Sequence, residues 1–420
     1  MEQPMIPIMK KLILSLALAL LCVAGSCSRT ETPYYFDGSV SQAVLERYLA
    51  RAVTMSEFLT VDPYCNDGTY PDKAADVAFI RNTGAKFIGR AIYRWGDEKV
   101  LTEPGFWAGA EALVGEVHAF DPDVIFQAAA FEAVYRDVNE VPVPAWAFEA
   151  LGLPVEERNF DYSQMLSPDG KYVDLWGPGG SVPDITRVET QLWLMYLIGS
   201  YVDIGVEAVH LGQVYLMGMN DHEWQSWDSF LKKVRAWVYP RARRHFVLFD
   251  AHAGSQGMMV GERSLLDFNS YPLRIKEVPE EPMRCVLEKG HLNAIFGKSP
   301  ACVTPSGWRC DALPYLVEFD NFGVSDHPGV ADLNDHYVWG YDEITWFYMQ
   351  DVPARRAWLR YAYDWLREND PHGHLEMPGA RVVSLTAGGS VFLSRAVAKS
   401  DKIPYGMDIE QTIKELWNGE

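Results

Sequence analysis

Tyr315-Leu316-Val317-Glu318-Phe319-Asp320-Asn321 is a short apolar run that turns acidic at its end. Side chains alternate along a strand, so Leu316, Glu318 and Asp320 share one face. The pattern recurs upstream. In His245 to His252, Phe246, Leu248, Asp250 and His252 share a face, and in Asp123 to Glu132 the set is Val124, Phe126, Ala128, Ala130 and Glu132. Further runs lie at Ala52 to Glu57, Lys86 to Tyr93, Val206 to Gln213, Ser264 to Asn269 and Ala380 to Leu385. Helical patterns stand between most of them: Ser41 to Arg51, Asp72 to Asn82, Gly105 to Phe120, Ile185 to Tyr201, Glu223 to Val238 and Ile344 to Glu368. Strands alternating with helices imply a parallel sheet, and eight such runs favour a closed (β/α)8 barrel over an open doubly wound sheet. No Gly-x-Gly-x-x-Gly follows the first strand, which removes the main support for dinucleotide binding.

The expected organisation is an export signal over 1–26, a tether over 27–40 and one α/β barrel over 41–400. An insertion at 141–183 and a C-terminal segment at 401–420 complete it. Lys10-Lys11, the apolar run Leu12 to Val23 and then Ala24-Gly25-Ser26-Cys27 have the three-part order of an export signal. The apolar stretch is shorter than the roughly 20 residues that span a bilayer. It resembles a bacterial lipoprotein signal with Cys27 as the acylated residue, although Ala24 stands where such signals usually carry Leu. That resemblance implies a cell-envelope location and membrane contact through a lipid anchor only. Four cysteines remain beyond Cys27, with Cys302 and Cys310 the nearest pair for a disulfide in an oxidising compartment.

The chain has 420 residues, 48% of them hydrophobic, and a formal charge of −20. Disorder of the bulk is excluded by that composition. The acidity, with no basic run longer than a pair, speaks against nucleic-acid binding. Fourteen Trp and 21 Tyr suit a protein that stacks on sugar rings, whose C–H faces are apolar.

In a barrel of this kind the site assembles where the strands end. The strand ends here offer Glu57, Arg94, Glu132, His210 or Gln213, Asp250 with His252, Asp267 with Asn269, and Glu318 with Asp320 and Asn321. Trp95, Tyr135, Trp176, Tyr215, Tyr271, Trp308, Trp339 and Tyr341 are the aromatics expected near the mouth. A carboxylate ending strand seven resembles the nucleophile position of the TIM-barrel glycoside hydrolase superfamily. Glycoside hydrolysis takes two carboxyls, one to protonate the leaving oxygen and one to attack or activate water. The resemblance implies Glu318 as nucleophile or base and Glu132 as general acid. Asp250, His252, Asp267, Asn269, Asp320, Asn321, His210, Gln213, Trp339 and Tyr341 would then hold the carbohydrate, with no cofactor and no metal. The chain departs from the superfamily at strand four, where Leu211-Gly212-Gln213 replaces the usual Asn-Glu. That departure suits a second reading, a barrel that only binds glycans at the cell surface; a third, separate reading is a metal-dependent hydrolase using His210, His222, Asp250, His252, His372 and His374. This metal reading has its His-x-His before the last strand rather than after the first. A Ser-His-Asp site lacks its Gly-x-Ser-x-Gly elbow.

Overall fold

The computed structural model describes residues 33–66, 73–293, 298–384, 391–395 and 408–419. The expected export signal and Cys27 lie outside the described residues. Eight parallel strands form a closed (β/α)8 barrel: β1 (Ala52–Met55), β2 (Phe87–Ile92), β3 (Ile125–Ala129), β4 (Ala208–His210), β5 (Leu248–Asp250), β6 (Asn269–Pro272), β7 (Tyr315–Glu318) and β8 (Met377–Ser384). β1 pairs with both β2 and β8, and the order β1-β2-β3-β4-β5 is sequential. β6 pairs with β7. The seam between β5 and β6 is bridged by Asp267 N–H to Phe249 O at 2.8 Å and Ser270 N–H to Ala251 O at 3.2 Å. Closure on the other side uses a short lead-in, Gly373–Leu375, which pairs with β7 before the chain crosses into β8. Glu376 sits at that crossing and donates its N–H to Val317 O at 2.8 Å.

Helices α1 (Gln42–Leu49), α2 (Lys73–Thr83), α3 (Pro104–Phe120), α4 (Val188–Asp203) and α5 (Gln225–Val238) agree closely with the sequence periodicity. The pattern read as one helix over Ile344 to Glu368 is two, α6 (Glu343–Met349) and α7 (Val352–Asn369). Pro353 cannot continue a helix but fits a first turn, and Asp351 caps α7 by accepting from Ala354 N–H. The last helix is α8 (Glu410–Asn418). Between β5 and β6, and again between β6 and β7, short antiparallel pairs replace the helix. One of those pairs sets Cys302 opposite Cys310, with the sulfurs 3.6 Å apart.

The barrel interior is built in two unlike layers. Ala52, Phe87, Ile125, Ala208, Leu248, Phe268 and Leu316 form an apolar floor with α1, Phe36 and Phe246. Two residues further along each strand the inward positions are Thr54, Gly89, Gln127, His210, Asp250, Ser270 and Glu318, joined by Glu376. Apart from Gly89, every member of the second layer is polar. Such a layer is stable only if its groups bond to one another, because unpaired polar groups in low dielectric are costly.

Candidate active site

Most groups of the polar layer bond to one another in two clusters. In the first, Asp250 is fully buried and accepts from Gln127 Nε2 at 2.7 Å, from Ser270 Oγ at 2.7 Å, and from His210 Nδ1 at 2.7 Å. Burial, helped by the charge of Arg90, holds His210 down at about 4 against the pull of Asp250, so its ring is neutral near pH 7. With Nδ1 engaged below, Nε2 has no partner at the cavity wall among the described residues.

The second cluster surrounds Glu318, which has no exposed surface. Arg90 ion-pairs with it, Arg381 Nη2 lies 3.1 Å from its Oε2, and His252 Nε2 lies 3.2 Å from its Oε1. Burial alone would raise this carboxyl, but the two guanidiniums outweigh it and hold Glu318 well below the usual range. Glu376 shows the opposite outcome: burial and the neighbouring Glu318 charge push it up to about 8. Gly89 makes room for it, since a Cβ there would sit 1.8 Å from Glu376 Oε1.

Above this layer opens a cavity of about 980 Å³ at the C-terminal ends of the strands. Its wall carries Arg90, Tyr93, Trp95, Phe131, Glu132, Trp176, His210, Gln213, Tyr215 and His252. Pro272, Arg274, Asp320, Asn321, Phe322, Asn334, His336 and Arg381 continue it. Glu132 accepts from Gln213 twice, from its N–H at 2.8 Å and its Nε2 at 2.9 Å. Gly212 has φ 63° and a Cβ on it would meet Glu132 Oε2 at 2.0 Å, so the glycine is required for the close approach. Trp176, from the 141–183 segment, donates Nε1–H to Glu132 O at 2.9 Å and packs edge-on against Trp95. Asp320 lies 3.3 Å from Arg381 Nη2, with its side chain 21% exposed.

Of the residues expected at the site, Glu132, His210, Gln213, His252, Asp320 and Asn321 line this cavity. Asp250 and Glu318 lie beneath it, and four expected residues lie elsewhere. Asp267 turns to Phe249 N–H and to Arg235 on α5, because β6 begins only at Asn269 and the preceding residues form a buried loop. Asn269 donates to Tyr271 OH and is buried at the start of that strand. Trp339 is buried and donates Nε1–H to Arg284 O at 3.2 Å, while Tyr341 pairs with Val338 in a tight turn. Neighbouring Asp342 caps α6. Glu57 is buried with both oxygens at 2.9 Å from Asn66 N. The phase of β3 also differs from expectation: Gln127 faces inward and Phe126 outward, and Glu132 reaches the cavity because the strand has already ended at Ala129. The polar interior residues Arg90, Gln127, Arg381 and Glu376, and the wall residue Arg274, were not anticipated. The one signal for them is a charged or amide residue inside an otherwise apolar run. For the metal reading, His372 pairs with Glu46 at 2.7 Å and lies away from the cavity wall. Among the described residues, no three His, Cys, Asp or Glu side chains are grouped as metal ligands.

No family model matches the chain, and no curated protein does. Among solved structures, a cyclic alpha-maltosyl-(1→6)-maltose hydrolase from Arthrobacter globiformis is 13% identical over 89% of this chain and 82% of its own, with a TM-score of 0.47. The debranching enzyme of Nostoc punctiforme is 10% identical over 89% and 80%, with a TM-score of 0.41. Eubacterium rectale Amy13B is 13% identical over 49% of this chain at a TM-score of 0.33; the chain spans only 45% of that protein. At these scores the fold assignment rests on the strand pairing described above.

Proposed function

We propose that the protein is a glycoside hydrolase that holds a sugar ring in the strand-end cavity. The observation that carries this reading is Glu132, a carboxyl fixed by Gln213 on a wall shared with Trp95, Phe131 and Trp176. Aromatic faces beside fixed acids suit stacked, hydroxyl-bearing rings. Glu132 is the general acid in this account. The second carboxyl comes from strand seven, as expected, but of its two acids Asp320 faces the cavity and Glu318 lies below. We therefore assign Asp320 to the water or the anomeric carbon. Glu318 becomes a positioning residue that holds Arg90 and Arg381. His210, with its Nε2 lone pair at the wall, accepts from a sugar hydroxyl.

The same reading places the protein outside the cytoplasm, anchored through an acylated Cys27, on the strength of the N-terminal sequence pattern. Mass spectrometry of the N-terminus after expression in a bacterial host tests that part; an uncleaved or unacylated chain contradicts it. Incubating the full chain with a panel of polysaccharides and following reducing-end release tests the activity. A barrel that only binds glycans is the second reading, favoured by the burial of Glu318. It would give saturable affinity with no product.

A further inference from the structure

Arg274 stands apart from the other cationic groups of the cavity. Arg90 pairs with Glu318, and Arg381 with Glu318 and Asp320. Arg274 lines the same cavity, yet among the described residues it has no ion pair and no hydrogen bond, and its Nη1 is buried without a partner. A guanidinium is permanently charged and carries five donors in a planar fork. Leaving part of that fork buried and unpaired is costly unless a ligand completes it.

The backbone tells the same story. Arg274 has φ 52°, in the left-handed region that a residue with a Cβ avoids. It is held there from both sides: Leu273 N–H and Ile275 N–H each donate to the Glu343 carboxylate at 3.2 Å, and Leu273 N–H also reaches Glu318 O at 2.8 Å. Such strain concentrates at functional sites, where the surroundings fix a side chain that would otherwise relax. Buried Glu343 feels the Arg274 charge, but its oxygens accept from the backbone N–H groups of Leu273, Ile275 and Asp320, and among the described residues it forms no ion pair with the guanidinium. The Arg274 Cζ lies 5.6 Å from the Phe322 ring centroid, and Phe322 packs on His336 at 4.5 Å. All three line the cavity, with Asn321 and Asn334 supplying further amide groups.

We propose that Arg274 receives the anionic group of an acidic glycan, a uronate carboxylate or a sulfate ester, so that the cavity selects acidic over neutral sugars. This deepens the carbohydrate reading above and rests on it. Two oxygens of a carboxylate, or two of the three terminal oxygens of a sulfate ester, match the guanidinium fork by paired N–H···O bonds. A chain of net charge −20 repels anions at long range, so such a preference has to be built locally.

Calorimetric titration of the full chain with matched oligosaccharides tests it. Each set differs only at C6 of one ring, as CH2OH, COO⁻ or CH2OSO3⁻, and is prepared in the gluco, galacto and manno series. Expected is at least tenfold tighter binding of an acidic member than of its neutral partner, the tighter acid naming the anion. Arg274→Gln should bring the two within threefold, and a cooperative thermal unfolding transition shows that the variant is folded. Arg274→Lys, a point charge without the fork, should keep part of the preference. Equal binding of neutral and acidic members by the wild type, or full preference in Arg274→Gln, overturns the proposal. If no member of any series binds, the carbohydrate reading itself has failed.

Discussion

His210 Nδ1 lies 2.7 Å from Asp250 Oδ2, in the buried layer just below the cavity. Among the described residues the carboxylate has no other histidine partner, and its further bonds come from Gln127 and Ser270. This contact fixes the ring so that its second nitrogen faces the cavity as an acceptor.

The first prediction concerns that ring. Its folded pKa, about 4, lies below the unfolded value near 6.5. Between those values the unfolded chain binds the extra proton, so this group's contribution to stability falls as pH drops from 6.5 toward 4. Imidazole nitrogen chemical shifts should show the neutral Nδ1–H form from pH 5 upward. A half-charged ring at pH 6 would contradict this.

Glu376 gives the opposite sign. Its folded value of about 8 stands above an unfolded value near 4.5, so the native state holds the extra proton in between. Stability from this group is complete below pH 4.5 and is lost as pH rises through 8. Urea midpoints for the wild type should fall between pH 6 and 9, and Glu376→Gln should reduce that fall. An identical fall in both would place the proton elsewhere.

Gly89→Ala adds a methyl where Glu376 Oε1 sits. Overpacking of this kind costs about 1–3 kcal/mol. Pairing it with Glu376→Ala should recover much of the loss, and a double-mutant cycle with no coupling would contradict the contact.

At the far end of the barrel, fully buried Glu207 lies 2.5 Å from Arg243 Nη2 and 3.1 Å from Arg244 Nε. Removing Glu207 strands the buried Arg244 guanidinium, while the more exposed Arg243 turns to water; breaking a buried pair in this way costs about 3–5 kcal/mol. Glu207→Ala should show that loss in urea unfolding and leave sugar affinity unchanged at temperatures where it is folded.

The barrel was legible in the sequence because parallel strands buried on both faces read as apolar runs. Strand six was read five residues early: Leu265, Leu266 and Phe268 are as buried as strand residues but belong to a loop turned by Asp267. Strand eight was read as beginning at Ala380, since Gly373 to Gly379 mixes His, Glu, Pro and two Gly and hides its pairing. The acids ending strands were legible as a class, but their exposure was not. Glu318 and Asp320 share a face in sequence, and only the arginines arriving from β2 and β8 decide that one is buried and the other open. Arg274 was invisible for a related reason. An unpaired charge can be recognised only after every neighbour has been placed.

The central claim is that Glu132 protonates a leaving glycosidic oxygen in the cavity. The most direct measurement is the turnover number of Glu132→Gln beside the wild type on the glycan the wild type cleaves best. Positioned acid catalysis contributes on the order of 10²- to 10⁴-fold, so the account predicts a loss of that size with binding retained. Full turnover by Glu132→Gln would contradict the account.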